Sequence, residues 1–196
     1  MSTVPGSFED LTPAWLQAAL RDGPGALDTI VAAVTVEPLG AGVGLLGDLA
    51  RLRIDYRSGQ GPATVIVKLP ASDPGGRQVG TMLRAWAREV AFYQEVAPAS
   101  PGVRVPRCHH AAGDEAAQRW VVVLEDCPSD WIDNAVGASP DQARAAVDAL
   151  AGFHAHWWAS PRRFAWMPGF DTTGVGGLGP AWLDAHPRFL DRYHHV

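Results

Sequence analysis

The stretch 34-VTVEPLGAGVGLLGDLARLRIDYRSGQGPATVIVKL-69 decides the fold. A short apolar run, Val34–Leu39, leads into a loop with glycines at 40, 42, 44 and 47. A glycine-rich loop after a strand either opens a helix, as in a dinucleotide-binding unit, or forms the tip of a hairpin. The residues that follow choose between them. In Asp48–Tyr56 the apolar Ala50, Leu52, Ile54 and Tyr56 alternate with Arg51, Arg53 and Asp55. Period two marks a half-buried strand. The loop is therefore a hairpin tip, and its bare backbone can approach a triphosphate closely.

A third strand, Thr64–Leu69, puts Val65, Val67 and Leu69 on one face and Ile66 and Lys68 on the other. An unpaired buried ammonium is costly, so Lys68 must reach water, a carboxylate or a ligand anion. If that face lines the glycine-loop cleft, Ile66 packs on a flat base and Lys68 meets phosphates. The competing reading is a glycine-rich hairpin whose edge lysine snorkels to solvent.

Outward from this core, Thr12 and Pro13 cap a helix at Ala14–Arg21 with Trp15, Leu16, Ala19 and Leu20 on its apolar face. A helix of about twenty residues is expected over Gln78–Ala97, with Met82, Leu83, Trp86, Val90 and Tyr93 as its stripe. Glu89 lies within that stripe. A core-facing carboxylate needs a partner, and Lys68 is the candidate; otherwise Glu89 turns to solvent at the stripe edge. Arg107–Ala112 and Trp120–Glu125 read as two further strands, the second continuously apolar as in a central strand. Glu125-Asp-Cys-Pro128 then marks a crossing between lobes. Ser139-Pro-Asp-Gln142 opens a second long helix with a capping box, and Val147, Leu150, Phe153, His154 and Trp157 are its expected buried stripe. Beyond Ser160 an irregular segment is expected, with a short helix at Pro180–Asp184.

The 196 residues are 47% apolar and 19% charged, with a formal charge of −5 and no basic run, which argues against nucleic acid as a partner. No apolar run approaches the ~20 residues of a membrane span, and no leader pattern opens the chain. Cys108 and Cys127 lack metal or redox spacing, so a reduced, cytoplasmic setting is expected. The histidine pairs 109/110 and 154/156 point to opposite sides of their elements and make a poor metal site. No G-x-S-x-G elbow is present.

The order of elements resembles the N-terminal part of the kinase-like phosphotransferases, in particular the aminoglycoside phosphotransferase and ecdysteroid-kinase-like families. The stretches that carry it are GAGVGLLGDLARLRIDY (40–56), VIVKL (65–69), REVAFY (88–93), VVVLEDC (121–127) and LAGFHAHWW (150–158), within about residues 8–160. The resemblance implies an α+β, protein-kinase-like N-lobe, a five-stranded antiparallel sheet plus one main helix, over residues 1–126. Residues 127–196 would hold the hinge and the first helices of a truncated C-lobe. Gly40, Gly42 and Gly44 would cover the phosphates of ATP or GTP, carried with Mg2+. Lys68 would pair with the α/β-phosphates and with Glu89. Ile66 would roof the base, and the Glu125 and Cys127 backbone would meet its edge. A small-molecule hydroxyl would accept the phosphoryl group.

One departure stands out. No histidine is followed by x-Asp, so the His-x-Asp catalytic loop and the metal-binding Asp are missing, and catalytic and metal roles fall to no residue of this chain. The expectation is the nucleotide-binding half of a small-molecule O-phosphotransferase, from a truncated or split gene. Its alternative is a non-catalytic interaction module or decayed enzyme on the same scaffold. Exposed Trp157, Trp158 and Trp166 are expected as surface meant for a missing lobe, and the bare C-terminal apolar surface of a truncated chain would promote self-association.

Overall fold

The structure, a computed structural model, describes residues 3–40, 46–100, 102–127, 136–167 and 178–194. The chain divides into two compact units, Met1–Pro161 and Arg162–Val196. The first is built on five antiparallel strands: β1 (Ile30–Leu39), β2 (Gly47–Ser58), β3 (Thr64–Pro70), β4 (Cys108–Asp114) and β5 (Arg119–Glu125). Their order across the sheet is β1-β2-β3-β5-β4, with every neighbouring pair antiparallel. This is the α+β architecture of a kinase-like N-lobe.

The period-two pattern sets two cores, one on each face. Leu52, Ile54, Val65, Val67, Leu69, Val121 and Val123 point to the first face. There they meet Trp15, Leu16, Ala19 and Leu20 of helix α1 (Pro13–Asp22). Pro13 occupies the first turn of α1, and the Thr12 hydroxyl accepts the Trp15 N–H at 3.2 Å, which satisfies an otherwise orphaned donor. Val122, Leu124 and Trp120 point to the second face and pack with Trp86 and Val90. Ile66 joins this second core from β3.

The helical region after β3 departs from the sequence expectation. In place of one helix over Gln78–Ala97 there are α2 (Pro74–Met82) and α3 (Ala85–Ala91), followed by a π-helical turn (Phe92–Val96) and a 3-10 turn (Ala97–Ala99). The break is at Arg84, whose φ of 50° is left-handed and cannot continue an α-helix. Because the axis turns there, Met82 leaves the buried stripe and is 69% exposed, while Trp86 and Val90 stay inside.

Helix α4 (Pro140–Trp157) starts with the expected capping box, in which Ser139 and Gln142 exchange hydrogen bonds. Its expected stripe is corrected. Val147, Leu150 and His154 are exposed, and only Phe153 and Trp157 are half-buried. The helix meets the rest of its unit near its C-terminal end, where the Trp157 indole N–H donates to the Ser100 hydroxyl at 3.0 Å. Of the tryptophans expected to be exposed, Trp158 is exposed but Trp157 and Trp166 are half-buried. In the second unit, α5 (Leu178–Tyr193) is longer than the short helix expected at Pro180–Asp184, and it runs through Pro187.

Candidate nucleotide site

Strand register builds the site row by row on the second face. From the hairpin tip inward, the first row is Leu49, Lys68 and Val122. The next is Arg51, Ile66 and Leu124. Directly opposed residues of antiparallel strands share a face, so Lys68 and Ile66 lie on the side covered by α3. The Lys68 ammonium donates to Glu89 Oε1 of α3 at 2.8 Å. Their side chains are 32% and 25% exposed, so the pair is neither sealed in the core nor free in solvent. Trp86, Trp120 and Val122 close in beside the pair and leave a gap of only about 10 Å3, about the least a water needs.

The described residues that flank the glycine loop are Gly40 and Leu46. Gly40 takes a φ of 59°, a conformation that suits glycine. Gly42 and Gly44 lie outside the described residues. On the other side, the Leu46 carbonyl accepts the Trp86 indole N–H at 2.7 Å, so α3 holds the start of β2 as well as presenting Glu89. Gly47 lies against the lysine stem: a Cβ there would stand 3.2 Å from Lys68 Cε. Trp86 is seated in turn by Gly80 of α2, where a Cβ would meet the indole ring at 2.3 Å. Sequence periodicity marked Trp86 as core. Its polar role at the loop was not readable, because the acceptor is a backbone carbonyl forty positions away.

At the other end of the face lies a group that sequence reading missed. Arg51 of β2 grips Asp126, the first residue beyond β5, through Nε–Oδ2 at 2.6 Å and Nη2–Oδ1 at 3.1 Å. The Arg51 guanidinium, aided by the Thr64 hydroxyl, holds the Asp126 carboxyl below its ordinary pKa against the opposing effect of burial. Further out, Arg53 pairs with Glu37 across β1 and β2. Tyr93 borders the same region, and burial, with Glu89, Cys108 and Cys127 nearby, pushes its hydroxyl up to about 12.

Glu125 lies opposite Val65, so its side chain belongs to the face away from Lys68. Arg104 binds it in a fork at 2.8 and 3.0 Å, and the Arg107 N–H donates to it. These bonds bring its pKa down to about 2. Its backbone N–H donates to the Arg107 carbonyl at 2.8 Å. Cys127 is half-buried beside it. A groove of about 660 Å3 runs past Glu125, Arg104, Arg107 and His109 and does not include Lys68.

The family model of the ecdysteroid kinase-like family matches residues 42–160, from the glycine loop to just past α4. The chain belongs to the ecdysteroid kinase-like family. No curated protein and no solved structure matches it. Membership makes it part of a kinase-like phosphotransferase family, whose fold the five-stranded sheet and its helices share. Among the described residues no helix is long and apolar enough to cross a membrane. No three His, Cys, Asp or Glu side chains among them gather as donors for a metal ion.

Proposed function

We propose that the face of the sheet carrying Ile66 and Lys68 binds ATP or GTP as its Mg2+ complex. In an ecdysteroid kinase-like enzyme this site would hold the nucleotide for transfer of its γ-phosphoryl group to a small-molecule hydroxyl. The observation that supports this is the Lys68–Glu89 pair, one third to one quarter exposed, held beside Gly47 at the base of the glycine loop. An ion pair that keeps contact with solvent contributes little net stability, on the order of 1 kcal/mol, so the fold has little need of it. A phosphate has: an ammonium oriented by a carboxylate is ready to donate to α/β-phosphate oxygens.

In this reading Gly40, Gly42 and Gly44 cover the phosphates and Ile66 roofs the base. The Glu125 carbonyl and the Cys127 N–H meet the base edge, with the hinge near Asp126 separating an N-lobe at 1–126 from the residues after it. Lys68 and Glu89 capture and orient; no chemical step is assigned to them. Mg2+ travels on the triphosphate oxygens.

Calorimetric titration of Mg·ATP and Mg·GTP into wild type and Lys68→Ala tests this. A charge-assisted contact is worth ~1.5–3 kcal/mol, so the variant should bind about 10- to 100-fold more weakly. A folded wild type that binds neither nucleotide overturns the reading and favours a non-catalytic interaction module, whose partner-facing surface would be the exposed Val147, Leu150 and Trp158 of α4 and the turn after it.

A further inference from the structure

We infer that the Arg51–Asp126 pair is a positioning device for the nucleoside part of the ligand, a role that rests on the nucleotide reading above. Arg51 stands directly opposite Ile66, and Ile66 directly opposite Leu124, in one row on the Lys68 face. The pair is thus one row further from the glycine loop than Lys68, a step of about 7 Å along the strand, on the side where a base would lie when its phosphates meet the lysine. Asp126 is also the residue between Glu125 and Cys127, whose backbone groups would meet the base edge. Whatever fixes Asp126 helps to place Cys127.

The fixing is strong and specific. The contact is a two-point fork, which sets orientation as well as distance. The Asp126 side chain is only 14% exposed, so little of the carboxylate meets water. No backbone ladder does this job: the β3–β5 register runs from Val65–Glu125 to Lys68–Val122 and leaves Asp126 beyond it. Arg51 therefore ties the glycine-loop strand directly to Asp126; the ladder already holds Glu125 beside Ile66, and the placement of the Cys127 edge contact depends on the fork.

The test separates nucleoside from phosphate. Mg·ATP and Mg·tripolyphosphate are titrated into wild type, Arg51→Lys, Asp126→Asn and the exchanged pair Arg51→Asp/Asp126→Arg. Lysine keeps the charge and loses the fork, so it stays informative if the other variants fold poorly. Arg51→Lys and Asp126→Asn should bind Mg·ATP about tenfold more weakly and Mg·tripolyphosphate within about twofold of wild type. The exchanged pair should recover part of the Mg·ATP loss. A variant folded by circular dichroism that binds both probes as wild type does, or loses both equally, overturns the inference while leaving the nucleotide site standing. A wild type silent to Mg·ATP overturns the site itself, and the inference with it.

Discussion

Gly80→Ala should destabilise the protein although alanine is the better helix former. In an exposed helix the exchange would gain ~1 kcal/mol. Here the added Cβ would stand 2.3, 2.7 and 2.9 Å from three atoms of the Trp86 indole, closer than carbon atoms can pack. The indole must move, and overpacking of this kind costs ~1–3 kcal/mol. Moving it also strains the 2.7 Å bond from Trp86 Nε1 to the Leu46 carbonyl, worth ~1 kcal/mol net, and the tilted ring contact with Trp120 at 5.5 Å. The net expectation is a loss of about 1–3 kcal/mol, read as a lower midpoint at unchanged slope in guanidinium unfolding. The control is the same exchange in a Trp86→Leu background. With the ring gone the clash is gone, and Gly80→Ala should become neutral or stabilising, giving a coupling energy of about 2 kcal/mol in the double-mutant cycle. Equal destabilisation in both backgrounds would refute the argument, because the cost would then come from the helix and not from the indole.

Leu52→Ala empties a fully buried position at the centre of the α1-side core and should cost ~2–5 kcal/mol in the same unfolding assay. Thr12→Ala removes the acceptor for the Trp15 N–H and should cost about 1 kcal/mol, whereas Thr12→Ser should be close to wild type. His110, packed edge-on against Trp15, has its pKa lowered by burial. The unfolded chain protonates it at about 6.5 while the folded chain resists, so stability should fall as pH drops from about 6.5 toward the folded value. His110→Gln should flatten that limb in a pH series of urea midpoints, and an unchanged slope would contradict it.

What the sequence made legible was whatever depends on neighbours along the chain. The alternation in β2 and β3 placed Ala50, Leu52, Val65 and Val67 on one face and Ile66 and Lys68 on the other. Thr12-Pro13 and Ser139-Pro140 marked helix starts because a cap is satisfied within one turn. The break at Arg84 escaped, since apolar spacing reports which face is greasy and says nothing of a left-handed residue between two helices. The α4 stripe failed for a related reason. Val147 and Leu150 have the spacing of a buried face, but spacing does not supply an element to cover it. Long-range polar contacts were the least legible. Lys68 and Glu89 were matched because each was a lone charge on an apolar face. Arg51 looked like an ordinary outward residue of an alternating strand, and nothing near it in the chain pointed to Asp126.

The strand order also dictates how the sheet can assemble in time. β1, β2 and β3 form a meander, each strand next to its predecessor, and β4 and β5 form a hairpin. Loop closure within each piece is short and quick. The seam between the pieces is different: Val67 must find Val123 with α2 and α3 strung between them. That search carries the larger entropy of ring closure and yields nothing until the two pieces meet. The slow step of folding is therefore expected at the β3–β5 seam, the same line of residues that sets Lys68 beside Val122. On that expectation the face that carries Ile66 and Lys68 takes shape only when the most distant strands have paired.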